Sequence, residues 1–183
     1  AGYLFMADIV LNQTKFAYRQ TEPRGILRNY TLTLSQMNGW NYGGRCTYND
    51  IGAQFVTMFR NRWELSFNET YVLSELATRL LRGGPAFRLS PYWKSTVLFN
   101  TDKSKRVMFR LQNISLISDD GSRSNSIKPS STFRLGNHFY INSEFAYDHN
   151  IDNFIYVTQK QVEPDMRYIL AHIKQQTYSV TLR

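Results

Sequence analysis

Leu80-Leu81-Arg82-Gly83-Gly84-Pro85-Ala86-Phe87-Arg88-Leu89-Ser90-Pro91-Tyr92-Trp93 is the least generic run in the chain. It holds the only Gly-Gly-Pro and separates long tracts in which apolar and polar residues alternate. A period of two belongs to strands and not to helices. Phe87 and Leu89 restart the alternation after the glycines, and Ser90-Pro91 reads as a tight turn. The stretch is therefore expected to be a wall strand entered through a glycine hinge. Phe87 and Leu89 would lie on its apolar face, and Ala86, Arg88 and Ser90 on its polar face.

The same alternation extends in both directions. Tyr30, Leu32 and Leu34 oppose Thr31, Thr33 and Ser35; Trp63, Leu65 and Phe67 oppose Glu64, Ser66 and Asn68, with Glu69 the misfit. Val107, Phe109 and Leu111 oppose Arg110 and Gln112, and Phe139, Ile141 and Phe145 oppose Asn142 and Glu144. About ten strands result. Only Val72 to Arg82 is helix-compatible, through the spacing of Leu73, Leu76 and Leu80, and it reads as a loop with at most a short helix. Ser118 to Ser126 and Asp148 to Asn153 read as polar loops.

Composition narrows the class. The 183 residues suffice for one domain, and 15 % of them are aromatic. Tyr and Phe favour strands, and Tyr and Trp also favour membrane–water interfaces. The net charge of +8 is spread along the chain with no basic run, which argues against a nucleic-acid partner. A single cysteine, Cys46, excludes an internal disulfide and a multi-cysteine metal site. His138, His149 and His172 lack metal-ligand spacing, and no Gly-x-Ser-x-Gly elbow or phosphate loop occurs. No catalytic, cofactor or metal residues are expected.

A soluble sandwich and an outer-membrane barrel share this alternation. Link length favours the barrel. Asn61-Arg62, Ser90-Pro91 and Gly136-Asn137 read as short turns, alternating with longer links at 72–84, 101–105, 118–126 and 148–153. Aromatics crowd the short turns, so Phe59, Trp63, Tyr92, Trp93, Phe139 and Tyr140 are expected to form an interfacial girdle. Arg60, Glu64, Arg88, Arg110 and Glu144 are expected to line a polar lumen.

The quoted stretch, with Gly39-Trp40-Asn41-Tyr42, Asn61-Arg62-Trp63, Arg167-Tyr168-Ile169-Leu170 and Gln176-Thr177-Tyr178-Ser179, resembles a Bacteroidota outer-membrane family. The resemblance implies a C-terminal β-barrel of unknown function behind an N-terminal carbohydrate-binding-type module. It also implies that residues 1–183 are an internal part of the barrel domain, lacking that module and the closing strands. The expectation is thus an all-β, antiparallel meander forming part of a transmembrane barrel in the bacterial outer membrane. Its partners would be lipid, the remaining strands and other surface subunits, and its role a non-enzymatic channel or scaffold handling glycans or secreted proteins. A soluble carbohydrate-binding sandwich and a barrel-wall hydrolase are the alternatives.

Overall fold

The computed structural model describes residues 8–136 and 139–183. Among them the chain is entirely β. Ten strands run β1 (Val10–Gln20), β2 (Leu27–Trp40), β3 (Cys46–Phe59), β4 (Glu64–Ala77), β5 (Phe87–Leu89), β6 (Tyr92–Asn100), β7 (Val107–Ser118), β8 (Arg123–Leu135), β9 (Phe139–Val162) and β10 (Asp165–Leu182). They form one antiparallel sheet in the order β1-β2-β3-β4-β6-β7-β8-β9-β10, with β5 on β4. The all-β antiparallel meander is as expected. Among the described residues the sheet is not closed: β1 pairs only with β2, and β10 only with β9.

Residues directly opposite in antiparallel strands share a face, so the register separates the two sides of the sheet. One row crosses all nine strands of the path: Tyr18, Leu32, Phe55, Phe67, Val97, Asn113, Ile127, Tyr147 and Tyr178. Only Asn113 breaks its apolar character, and it is hydrogen-bonded to Asn125 at 2.7 Å. The row one residue further along lies on the opposite face and reads Ala17, Thr33, Gln54, Asn68, Thr96, Ile114, Ser126, Asp148 and Thr177. The sheet thus has one largely apolar side and one largely polar side.

Neither side is covered by a second layer. The buried apolar residues are Val72, Leu76, Leu81 and Ala146, whereas Phe16, Leu34, Phe67, Trp93, Phe109 and Phe133 are among many large apolar side chains left exposed. A soluble domain of this length normally buries its sheet against another sheet or helices. That arrangement is absent from the described residues, and with it the two-layer sandwich.

The quoted stretch departs from expectation at Ser90-Pro91. Phe87, Arg88 and Leu89 pair with Ala77, Leu76 and Glu75, and Tyr92 then pairs with Val72. β5 and β6 therefore run in the same direction along one partner, and Ser90-Pro91 is an interruption of a single wall line. It does not reverse the chain. Proline supplies no ladder donor, so such an interruption suits it. Asp119 donates its backbone N–H to the Pro91 carbonyl at 3.0 Å.

Three other segments differ. Val72 to Ala77 belongs to β4, and no helix occurs among the described residues. A register shift between Asn49 and Asp50 leaves one extra β4 residue, so apolar side chains fall three apart and imitate a helical spacing. Asp148 to Asn153 lies inside the long strand β9, and the expected 118–126 loop shrinks to residues 119–122. Polar residues on both faces at this level made strand look like loop. The links 60–63, 101–106 and 21–26 share one rim, called the lower rim here. Links 41–45, 78–86, 119–122 and 163–164 share the upper rim. Long and short links do not divide between them as the sequence suggested.

Candidate functional site

The β7–β8 hairpin turns back early, while the β9–β10 ladder continues upward to Val162 and Asp165. This leaves a notch in the upper wall between β5 and β9. The 78–86 loop and β5 bridge it. Phe87 meets Phe154 with ring centroids 5.6 Å apart, and the Arg82 guanidinium lies 5.7 Å from the Tyr156 ring centre. In a flat sheet those strand lines would stand three spacings, about 14 Å, apart. The sheet is therefore curved, and the polar face is the concave one. Gly84 packs so closely that a Cβ there would lie 2.5 Å from the Tyr168 ring.

The floor of the notch is a hydrogen-bond chain. Asn153 donates its side-chain amide to the Asp120 carbonyl at 2.8 Å and its backbone N–H to Ser122 Oγ at 3.1 Å. Its side-chain oxygen, Oδ1, sits 2.6 Å from His172 Nδ1. Asn153→Ala removes a donor from the part-buried Asp120 carbonyl and a partner from the exposed His172 ring. A loss of about 1–3 kcal/mol is expected, read as a lower thermal midpoint with faster amide exchange confined to residues 119–122 and 153. His172, exposed on β10, joins that strand to this chain through its contact with Asn153, a pairing across 19 residues that the sequence does not mark.

The concave face divides into two regions. Towards the upper rim, Tyr48 donates to Asp50 at 2.7 Å and Tyr92 to Glu75 at 2.6 Å. The adjoining recess is lined by Glu75, Asp120 and Asp152 against one cation, Arg123. Towards the lower rim, an open cavity of about 500 Å³ spans β6 to β9 and is lined by Lys103, Arg110, Lys128 and Arg134 against one carboxylate, Glu144. Glu64, Asn100, Arg110, Ser130 and Glu144 lie in one cross-strand row on this face. Three of the five expected lumen residues, Glu64, Arg110 and Glu144, are thus brought together.

The other two are not. Arg60 sits in the β3–β4 turn and lines a recess of the apolar face with Trp63 and Phe99. Arg88 points to the side opposite Leu89 and Glu75; its guanidinium binds Ser74 Oγ and the Cys46 carbonyl. Phe87 and Leu89 take the concave side instead, because the extra β4 residue reverses the phase above Val72.

The expected girdle divides too. Phe59, Trp63 and Phe139 lie at the lower rim on the apolar side, where Trp63 meets Phe99 edge-on at 5.5 Å. Trp93 stacks against Tyr71 at 4.7 Å, eight residues further up β4 from Trp63, and forms a separate upper level. Tyr92 faces the concave side through its bond to Glu75, and Tyr140 does so opposite Arg134. The Gly136-Asn137 turn and His138 fall partly outside the described residues.

At the lower rim, Asp102 accepts from the Ser104 backbone N–H at 2.8 Å and from its hydroxyl at 2.7 Å. These bonds hold its carboxyl below the ordinary value of 3.8, the backbone bond contributing most. A depressed folded-state pKa stabilises the turn above the unfolded value, and that contribution disappears as pH falls through the folded one. The Ser104 amide is therefore expected to lose exchange protection as pH falls through that lowered value, below 3.8, and Asp102→Asn to remove that pH dependence.

No group of three or more potential metal-ligating side chains occurs among the described residues. No curated protein and no solved structure matches the chain. The family model described as a domain of unknown function (DUF5916) matches residues 1–183, and the chain belongs to that family.

Proposed function

We propose that the chain is a wall segment of a bacterial outer-membrane β-barrel, acting without catalysis as a channel or as a scaffold for surface complexes that handle glycans or secreted proteins. The observation that carries this reading is the pair of adjacent rows through Phe67 and Asn68, apolar on the outside and polar within. Lipid-facing and lumen-facing residues alternate in this way in membrane barrels.

The aromatic levels agree in scale. From Trp63 to Tyr71 the strand climbs about 26 Å, or about 20 Å of depth at the usual tilt of such strands. That is close to the apolar band of an outer-membrane barrel. Glu69 lies just inside the upper level and binds Ser95 Oγ, so its charge sits near the interface, where the penalty is small. The open edges at β1 and β10 take further strands, because unpaired donors in hydrocarbon cost several kcal/mol each.

The test is extraction. The full-length protein stays in the membrane pellet through carbonate washing and is released by detergent, with heat-dependent gel mobility. Recovery in the soluble fraction without detergent overturns the reading.

A further inference from the structure

We propose that the concave groove between β6 and β9 binds small oxyanions, of the carboxylate or phosphate type, through Arg110, Lys128 and Arg134. The proposal rests on the reading above in one respect, that this face meets water. The groove has four cationic side chains and one carboxylate. Lys103 is already neutralised by Glu64, its ammonium 2.6 Å from the carboxylate. Among the described residues, Arg110 reaches only the neutral Gln112 amide, and neither Lys128 nor Arg134 forms an ion pair. Glu144 lies two strands from Arg110, across Ser130, and leaves it unpaired.

The local excess of positive charge is not a general property of the concave face. The upper recess carries three carboxylates against one arginine. Charge of one sign gathered in a concave, low-dielectric wall focuses its field on a solute. Two guanidinium groups match the planar, bidentate geometry of carboxylate and phosphate oxygens. Ser130 and Asn142 line the same groove and supply hydroxyl and amide donors beside the cations, while Thr132 donates its hydroxyl to the Asn142 side-chain oxygen. Tyr140, opposite Arg134 and largely exposed, lies on the same face at the lower rim.

The experiment titrates the full-length protein in detergent micelles with citrate, inorganic phosphate and sucrose by calorimetry. Binding of citrate or phosphate, weakening with added salt, is expected, and none of sucrose. Arg110→Gln, Lys128→Gln and Arg134→Gln singly weaken it about tenfold each, and the triple variant loses it with an unchanged β-sheet circular dichroism spectrum. Lys160→Gln, outside the groove, leaves it intact. No binding of either anion by the wild type, or equal affinity in the triple variant, overturns the proposal. A planar-bilayer arm separates the two readings. Anion binding that depends on the three cations, without pore formation, keeps the site and removes the channel. Pores with no anion preference and no anion binding keep the channel and remove the site.

Discussion

Phe67→Arg is expected to keep the protein out of the membrane, whereas Asn68→Arg leaves assembly intact. The two positions are consecutive on β4 and carry the same new charge, so net charge and strand propensity hardly distinguish them. Their surroundings do. Phe67 is flanked by Phe55 and Val97 on the apolar side, and Asn68 by Gln54 and Thr96 on the concave side. An arginine facing lipid near the middle of the band costs about 2–4 kcal/mol, while one facing a lumen meets water. Heat-modifiable gel mobility and protease resistance of the membrane fraction measure the outcome. Equal assembly of both variants would remove lipid from the apolar face.

The second large effect concerns Gly84. A methyl group there would overlap the Tyr168 ring, with atoms 2.5, 2.6 and 2.8 Å away. The ring is the far end of a side chain and can swing, but doing so breaks one of the contacts that join the 78–86 loop to the β9–β10 ladder. Gly84→Ala is expected to cost about 1–3 kcal/mol, the usual range for overpacking, and to speed tryptic cleavage after Arg82 by loosening the loop. In a Tyr168→Ala background the same change costs almost nothing, so the double-mutant cycle shows a coupling of similar size. Gly83 behaves differently. Its φ of +102° strains any side chain although the space around it is open, so Gly83→Ala is destabilising in both backgrounds.

Period-two alternation made nearly all the wall legible in the sequence, because one-sided burial leaves that trace regardless of what covers the sheet. It puts Glu64, Arg110 and Glu144 on one face of the sheet, as the register does where pairing is regular. It misplaced Arg88, Phe87 and Leu89, because one additional residue above Val72 inverts the phase and leaves no local mark in composition. Ser90-Pro91 misled for a related reason. A dipeptide that usually reverses a chain also interrupts an edge without reversing it, and only the shared partner β4 distinguishes the two. Tyr92 and Tyr140 were drawn towards the girdle by their aromaticity, whereas parity within β6 and β9 sends them inward. The two-region charge pattern of the concave face was illegible, since Lys103, Arg110, Lys128 and Glu144 come together only from three strands and a link.

The division of one wall line between β5 and β6 has a practical consequence for engineering. Register for every later strand is set by Tyr92 against Val72, below the interruption, and not by the path the chain takes to reach Phe87. The 78–86 segment is thus decoupled from downstream alignment. A foreign epitope spliced beside Thr78 would lengthen the excursion and leave β6 through β10 in step. The same splice at 119–122 would pull apart two segments that anchor both neighbours.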